Sequence, residues 1–209
     1  MLKEQLVKKV NEQIKREYGF DTEEILTDDA IIFGGIIRDI LTEGNCTESK
    51  DIDIIMSASK VNYVETKLMG FGYKRNQSLE RLETEAGKIN NQKASQYDNS
   101  KFDLRIYTIQ QTHRIDLVMP KMEEIIAHHS FMEGFITDLI SNLVFLQTVD
   151  FSCSMIGYNK HFGIIANEDK AFKMLDKKIF TVNTNSILYN AEKSKERIKK
   201  LEDKGWMKI

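Results

Sequence analysis

The stretch from Ile31 to Met56, IIFGGIIRDILTEGNCTESKDIDIIM, constrains this chain more than any other. Ala30 to Phe33 is an apolar run that reads as a buried strand. Gly34 and Gly35 follow at once, and then Ile36, Ile37, Ile40 and Leu41 recur at helical spacing around Arg38 and Asp39. Strand, two glycines, helix is how a chain presents bare backbone N–H groups at a helix N-terminus, where the dipole favours an anion such as phosphate. A second strand is predicted over Asp51 to Met56. Side chains alternate along a strand, so Asp51 and Asp53 share one face while Ile52 and Ile54 point to the core. Adjacent carboxylates repel unless a cation lies between them, and oxygen ligands of this kind suit Mg²⁺.

Each half of this pattern has a plainer use. A Gly-Gly pair after a strand also makes an ordinary tight turn, and Asp-x-Asp also ends solvated strands. The order of the parts favours a site. The dinucleotide spacing Gly-x-Gly-x-x-Gly is absent, and no Gly-Lys-Ser/Thr follows to make a P-loop. Further along, Lys101 to Met119 carries two alternating runs, FDLRIYTI and HRIDLVM, joined by Gln110 to Thr112, and reads as a hairpin. Arg114, Asp116 and Val118 share one face of its second strand. Asp116 is a candidate third carboxylate; a plain ion pair with Arg114 is the competing use.

Gly34-Gly35-x-x-Arg38-Asp39 followed by Asp51-Ile-Asp53 resembles the signature of the bacterial CCA-adding enzyme and poly(A) polymerase family, nucleotidyltransferases of the polymerase-β type. The resemblance covers roughly residues 14 to 182. It implies an α+β fold: a polymerase-β-like nucleotidyltransferase core, a mixed sheet with flanking helices, followed by a small C-terminal helical neck. It also implies a third carboxylate on a neighbouring strand, the place Asp116 fills. The family continues with an Arg-Arg-Asp segment that helps hold the nucleotide; here Thr148 and Val149 stand before Asp150, and Ser154 and Met155 replace the Asn and Ala that follow. The family's large tRNA-gripping helical body has no counterpart in this sequence.

The resemblance implies these roles. Asp51, Asp53 and Asp116 hold two Mg²⁺ ions, with Mn²⁺ as the alternative ion. Gly34, Gly35, Arg38, Asp39 and Asp150 bind an NTP, ATP or CTP. The reaction is transfer of NMP to an acceptor hydroxyl, an RNA 3′ end of tRNA-like type. The alternatives are a protein or small-molecule acceptor, or a nucleotide-binding module without catalysis.

The remaining chain supplies context. Net charge is −2, so no global basic field attracts nucleic acid, and an RNA contact needs a local patch. The concentrated cations lie in the final segment, Ser186 to Lys208, which reads as one helix with Ile187, Leu188, Ala191, Ile198 and Leu201 inward. Its polar face carries Lys193, Lys195, Arg197, Lys199 and Lys200, the candidate RNA-binding residues. The division expected is a head over 1–165 and a helical extension over 166–209. Leu2 to Tyr18 is an amphipathic helix with Leu6, Val10, Ile14 and Tyr18 in a stripe. Ser59 to Leu68 is a second helix. Asn76 to Ser100 is polar and reads as a long loop with a helical piece near Leu79 to Leu82. Phe135 to Leu146 is a strongly apolar helix. Ser154 to Ile165 is a short strand pair, and Asn167 to Val182 includes helical spacing. Two distant cysteines, Cys46 and Cys153, suggest neither a disulfide framework nor zinc. His128 and His129 are adjacent and cannot share a helix face, so the four histidines are read as structural or exposed. The charged N-terminus and the lack of any apolar run of ~20 residues point to a cytoplasmic protein without a membrane span.

Overall fold

The structure, a computed structural model, describes residues 3–47, 51–89, 102–110, 112–121, 146, 149–166, 168–186 and 188–209, with backbone alone at 3, 84–89 and 168–170. The helices are α1 (Lys3–Tyr18), α2 (Thr22–Ile25), α3 (Gly35–Glu43), α4 (Val61–Gly70), α5 (Gln77–Ile89), α6 (Glu168–Lys177) and α7 (Ala191–Asp203). The strands are β1 (Ile31–Phe33), β2 (Asp51–Ile55), β3 (Lys74–Arg75), β4 (Phe102–Ile109), β5 (His113–Pro120), β6 (Ile156–Asn159), β7 (Gly163–Ala166), β8 (Ile179–Phe180) and β9 (Met207–Lys208).

Seven strands form one mixed sheet in the order β3-β4-β5-β2-β1-β6-β7. The β2–β5 joint is parallel and the others are antiparallel. This is the α+β arrangement of mixed sheet and flanking helices that the sequence led us to expect. Alternation sorts the side chains onto two faces. Ile32, Ile52, Ile54, Ile115 and Leu117 join the larger apolar cluster, with Val10 and Ile14 of α1, Ile36, Ile37 and Ile40 of α3, and Val64 and Leu68 of α4. Ile31, Phe33, Ile55, Ile106 and Val118 face the other way, into a smaller cluster with Leu146, Val149 and Leu188. Gly157 belongs to the join of β1 and β6: a Cβ there would lie 2.5 Å from Ile31 Cγ2 and 3.0 Å from the Ile32 carbonyl oxygen.

Several expected elements need correction. The helical piece expected near Leu79 to Leu82 is part of a longer helix over 77–89, which the loop reading did not include. What orders α5 is polar and invisible to hydrophobic periodicity. Asn76 Oδ1 accepts from the Leu79 N–H, while the Ile106 N–H donates to Glu80 Oε1 and the Asn76 N–H donates to the Ile106 carbonyl. The start of α5 thus satisfies the edge of β4 past the end of β3, as a strand would. The C-terminal helix is also shorter than the reading over 186–208. Asn190 caps it by accepting from the N–H groups of Glu192 and Lys193, and the chain turns at Gly205 into β9, parallel to β8. Ala191, expected inward, is exposed, and Leu188 is buried ahead of the helix. Leu175, Phe180, Leu201 and Trp206 of the C-terminal part share the larger cluster. The predicted helix over 135–146, apart from Leu146, lies outside the described residues, as do Thr148, His128 and His129.

Candidate active site

Gly34 is the N-cap of α3 at φ 82° and ψ −141°, a conformation that side-chain-bearing residues avoid. The torsion is the main constraint, and the neighbourhood is close as well. A Cβ on Gly34 would sit 3.5 Å from Asp53 Oδ2, and one on Gly35 would sit 3.3 Å from Arg38 Nη2. Bare backbone therefore lies between the α3 N-terminus and the carboxylate of β2.

The carboxylates come together through sheet register. Phe33 of β1 lies opposite Asp53 of β2, and Asp53 in turn lies opposite Asp116 of β5. Asp51 lies opposite Arg114. Asp51, Asp53, Arg114 and Asp116 therefore share one end of one sheet face, beyond Ile55 and Val118. Asp51 is exposed, Asp53 is half-buried, and Asp116 is 2% exposed. Burial is the main cause that lifts the Asp116 carboxyl to about 6, with Asp51 and Glu83 adding to it and Arg114 opposing it.

Arg114 holds Asp116 with both edges of its fork. Nε donates to Oδ1 and Nη2 to Oδ2, each at 2.6 Å. The ion pair that the sequence offered as a competing use is thus present, on the same face as the other two carboxylates. Arg114 Nη1 also donates to Glu83 Oε1 at 3.1 Å, and Glu83 Oε2 lies 3.6 Å from Lys193 Nζ of α7. Sequence reasoning missed Glu83 because it falls in the stretch read as a loop. The only signal was its spacing of three from Glu80, which places both on one side of a helix once the helix is known.

The other candidate residues fall into two inward-facing pairs. Arg38 Nε donates to Asp39 Oδ1 at 2.9 Å, and its guanidinium lies 5.6 Å from the centre of the Trp206 ring. Lys204 Nζ donates to Asp39 Oδ2 at 2.9 Å. Asp39 is buried, yet Arg38 and Lys204 outweigh the burial and hold its carboxyl below the ordinary range. Asp150 accepts from Arg197 Nη1 at 2.5 Å, and Arg197 stacks 4.8 Å from the Phe151 ring centre. Burial nevertheless raises the Asp150 carboxyl, against the Arg197 charge.

The five candidate RNA-binding cations of α7 are therefore split between two sides. Lys193 and Arg197, four residues apart, turn inward to Glu83 and Asp150. Lys195, Lys199 and Lys200 are exposed. Sequence periodicity treats a long basic side chain as solvated unless its partner is known, and both partners lie on distant segments. The two described histidines hold no metal-like geometry: His113 packs edge-on against Tyr18, and His161 meets Asp28 at 2.9 Å.

The donor set at Asp51, Asp53 and Asp116 is all carboxylate oxygen, which suits a hard divalent cation. Among the described residues no three His, Cys, Asp or Glu side chains are arranged to hold a metal ion. Both Asp116 oxygens are engaged with Arg114. No helix among the described residues is long and apolar enough to cross a membrane.

No family model matches the chain, and no curated protein matches its sequence. Among solved structures it is similar to a tRNA-processing enzyme in an apo form, at TM-score 0.47 and 15% identity over 99% of this chain and 43% of that one. A tRNA nucleotidyltransferase complexed with a primer tRNA and an incoming ATP analogue aligns at TM-score 0.47 and 15% identity, over 96% of this chain and 46% of that one. The CCA-adding enzyme of Bacillus stearothermophilus in complex with CTP aligns at TM-score 0.41 and 16% identity, over 100% of this chain and 41% of that one. This chain spans less than half the length of each.

Proposed function

We propose that the chain is a template-independent nucleotidyltransferase of the polymerase-β type, moving a nucleoside monophosphate from ATP or CTP to the 3′ hydroxyl of an RNA. One observation carries this reading: Asp53 and Asp116 stand opposite each other on parallel strands, and the Gly34 backbone approaches Asp53 with no side chain between them. Paired carboxylates beside a bare helix N-terminus put a cation site next to an anion site, as a metal-bound triphosphate needs.

In this reading the α3 N-terminus receives the triphosphate through backbone N–H groups. Arg38, fixed by Asp39 and Trp206, adds fixed positive charge behind the turn. Asp51, Asp53 and Asp116 would hold two divalent ions, which when bound lower the pKa of the acceptor hydroxyl and stabilise departing pyrophosphate. The acceptor oxygen forms the new bond to the α-phosphorus as the bond to the β-phosphate breaks. In this reading Asp116 is the carboxylate that meets the attacking hydroxyl. Asp150 takes a supporting part: its carboxylate anchors Arg197 and hence α7 over this side of the sheet. Lys195, Lys199 and Lys200 are the outward cations left for RNA phosphates, at work in the cytoplasm where the two free buried cysteines stay reduced.

The inward turn of Lys193 and Arg197 shrinks that basic surface and favours a second acceptor class, a protein or small-molecule hydroxyl. Incubating the protein with each labelled NTP, Mg²⁺ and either total RNA or a protein extract separates the two. Label entering RNA is expected, and it should vanish in Asp53→Asn while the circular dichroism of the variant stays native. Label entering protein alone moves the acceptor to the second class. Undiminished transfer by Asp53→Asn removes the mechanism.

A further inference from the structure

We propose that Arg114 is the resident cation of the metal site: it holds the third carboxylate while no divalent ion is bound, and it must release Asp116 before such an ion can use it. The inference rests on the nucleotidyltransferase reading above and adds a residue that reading does not use.

Two carboxylates hold the Arg114 guanidinium, and a third residue with one lies across the sheet from it. Asp116 takes two of its donors at 2.6 Å, Glu83 takes a third at 3.1 Å, and Asp51 lies directly across the β2–β5 joint. Asp53 stands next to Asp116 on the adjacent strand. Without a cation this cluster would be strongly self-repelling, the more so because Asp116 is almost wholly buried. One guanidinium relieves it, and its forked donors match a carboxylate edge to edge. The same match makes Arg114 a competitor. The fork takes one lone pair on each Asp116 oxygen, and a divalent ion that chelates the carboxylate needs the same edge. Both Asp116 oxygens are thus engaged along its own strand by Arg114. Glu83 gives the guanidinium a second seat: Nη1 is already on it, so a rotation of the fork toward α5 can free Asp116 without leaving Arg114 unpaired. Lys193, 3.6 Å from Glu83, is the other cation at that seat.

Two opposite effects follow from removing Arg114. The metal-free protein loses its counter-charge and becomes less stable. The metal site loses its competitor and binds more tightly. A residue that merely braced the fold would produce the first effect without the second.

Mn²⁺ alone is the probe, titrated by calorimetry and by the electron paramagnetic resonance of free Mn²⁺, against the wild type, Arg114→Met, Arg114→Lys and Asp53→Asn. For Arg114→Met a lower metal-free melting temperature is expected, together with Mn²⁺ binding tighter by about tenfold or more, the order of effect that losing one charge-assisted contact produces. Arg114→Lys keeps the charge without the fork and should fall between the two, which keeps the test alive if the methionine variant fails to fold. Unchanged or weaker Mn²⁺ binding in both arginine variants, with Asp53→Asn still abolishing binding, overturns the role of Arg114 and leaves the metal site standing. No Mn²⁺ binding by any of the four proteins overturns the metal site and this proposal together.

Discussion

Lys204 Nζ donates to Asp39 Oδ2 at 2.9 Å, a contact that spans 165 residues of sequence and ties the end of α7 to the helix behind the glycine turn. Arg38 takes the other oxygen of Asp39 and lies over Trp206, so the Asp39 carboxylate and the two basic groups form one unit. Lys204→Met should leave part of that buried carboxylate without its partner. We expect a loss of about 1–3 kcal/mol in urea denaturation, the cost of removing one partner of a buried charged hydrogen bond. Trp206 is the single tryptophan of the chain, so its fluorescence follows this contact directly. A variant with an unchanged midpoint and an unchanged emission spectrum would mean that the contact adds nothing.

Asp39 also sets a pH dependence. Its carboxyl titrates below the ordinary 3.8 because Arg38 and Lys204 favour the ionised form. A depressed folded-state pKa contributes stability above the unfolded value, and that stability is lost as pH falls through the folded value. Asp39→Asn should therefore be less stable than wild type near neutral pH and lose less on acidification below about 4. Urea midpoints measured across that range give the answer. Parallel pH curves for the two proteins would contradict it.

Gly34→Ala tests the glycine turn. A side chain at φ 82° is strained, and its methyl carbon would enter the gap to Asp53 Oδ2 at 3.5 Å. Backbone strain of this kind costs about 1–3 kcal/mol. Affinity for Mg²⁺-NTP by calorimetry should fall by about tenfold, because the methyl group would crowd the approach of phosphate to the backbone N–H groups. A variant that is destabilised but binds NTP as the wild type does would show that the turn serves the fold alone.

The outward cations of α7 bear on the acceptor. Replacing Lys195, Lys199 and Lys200 with Gln should flatten the dependence of log RNA affinity on log salt by roughly two units, at about 0.7 per single-strand phosphate contact. NTP affinity should stay the same, because Arg38 and the carboxylates are elsewhere. If the slope does not move, RNA is held by some other surface or is not the acceptor.

The parts of the site that were legible in the sequence share a physical reason. β1, the glycine pair, α3 and β2 follow one another within about two dozen residues, and their periodicities of 2 and 3.6 are local properties. The β4–β5 hairpin was legible on the same ground, so Asp51, Asp53 and Asp116 could be named before any coordinates. What was hidden depends on partners distant in sequence. Glu83 looked like one more charge in a polar stretch because α5 is anchored by Asn76 and Glu80 rather than by an apolar stripe. Lys193 and Arg197 were grouped with the outward RNA-binding candidates because their partners, Glu83 and Asp150, come from other elements. Lys204 and Trp206 carried no signal at all: a lysine and a tryptophan after a helix say nothing of an aspartate on α3.

The parallel joint between β2 and β5 also predicts an order of events in time. β4 and β5 meet through a tight turn and can zip together in about 1–10 μs, as hairpins do. β2 cannot find β5 until residues 56–112 have been looped out, and ends held that far apart pay a closure entropy that grows with the logarithm of loop length. On that ground Asp53 and Asp116 should become neighbours only at a late step. Their mutual repulsion then opposes the joint as it forms, while Arg114 arrives on the same strand as Asp116 and neutralises it on the way. Pulsed hydrogen exchange should see the Ile52 and Ile54 amides protected after those of β4 and β5; simultaneous protection would mean that the chain solves its longest-range pairing first.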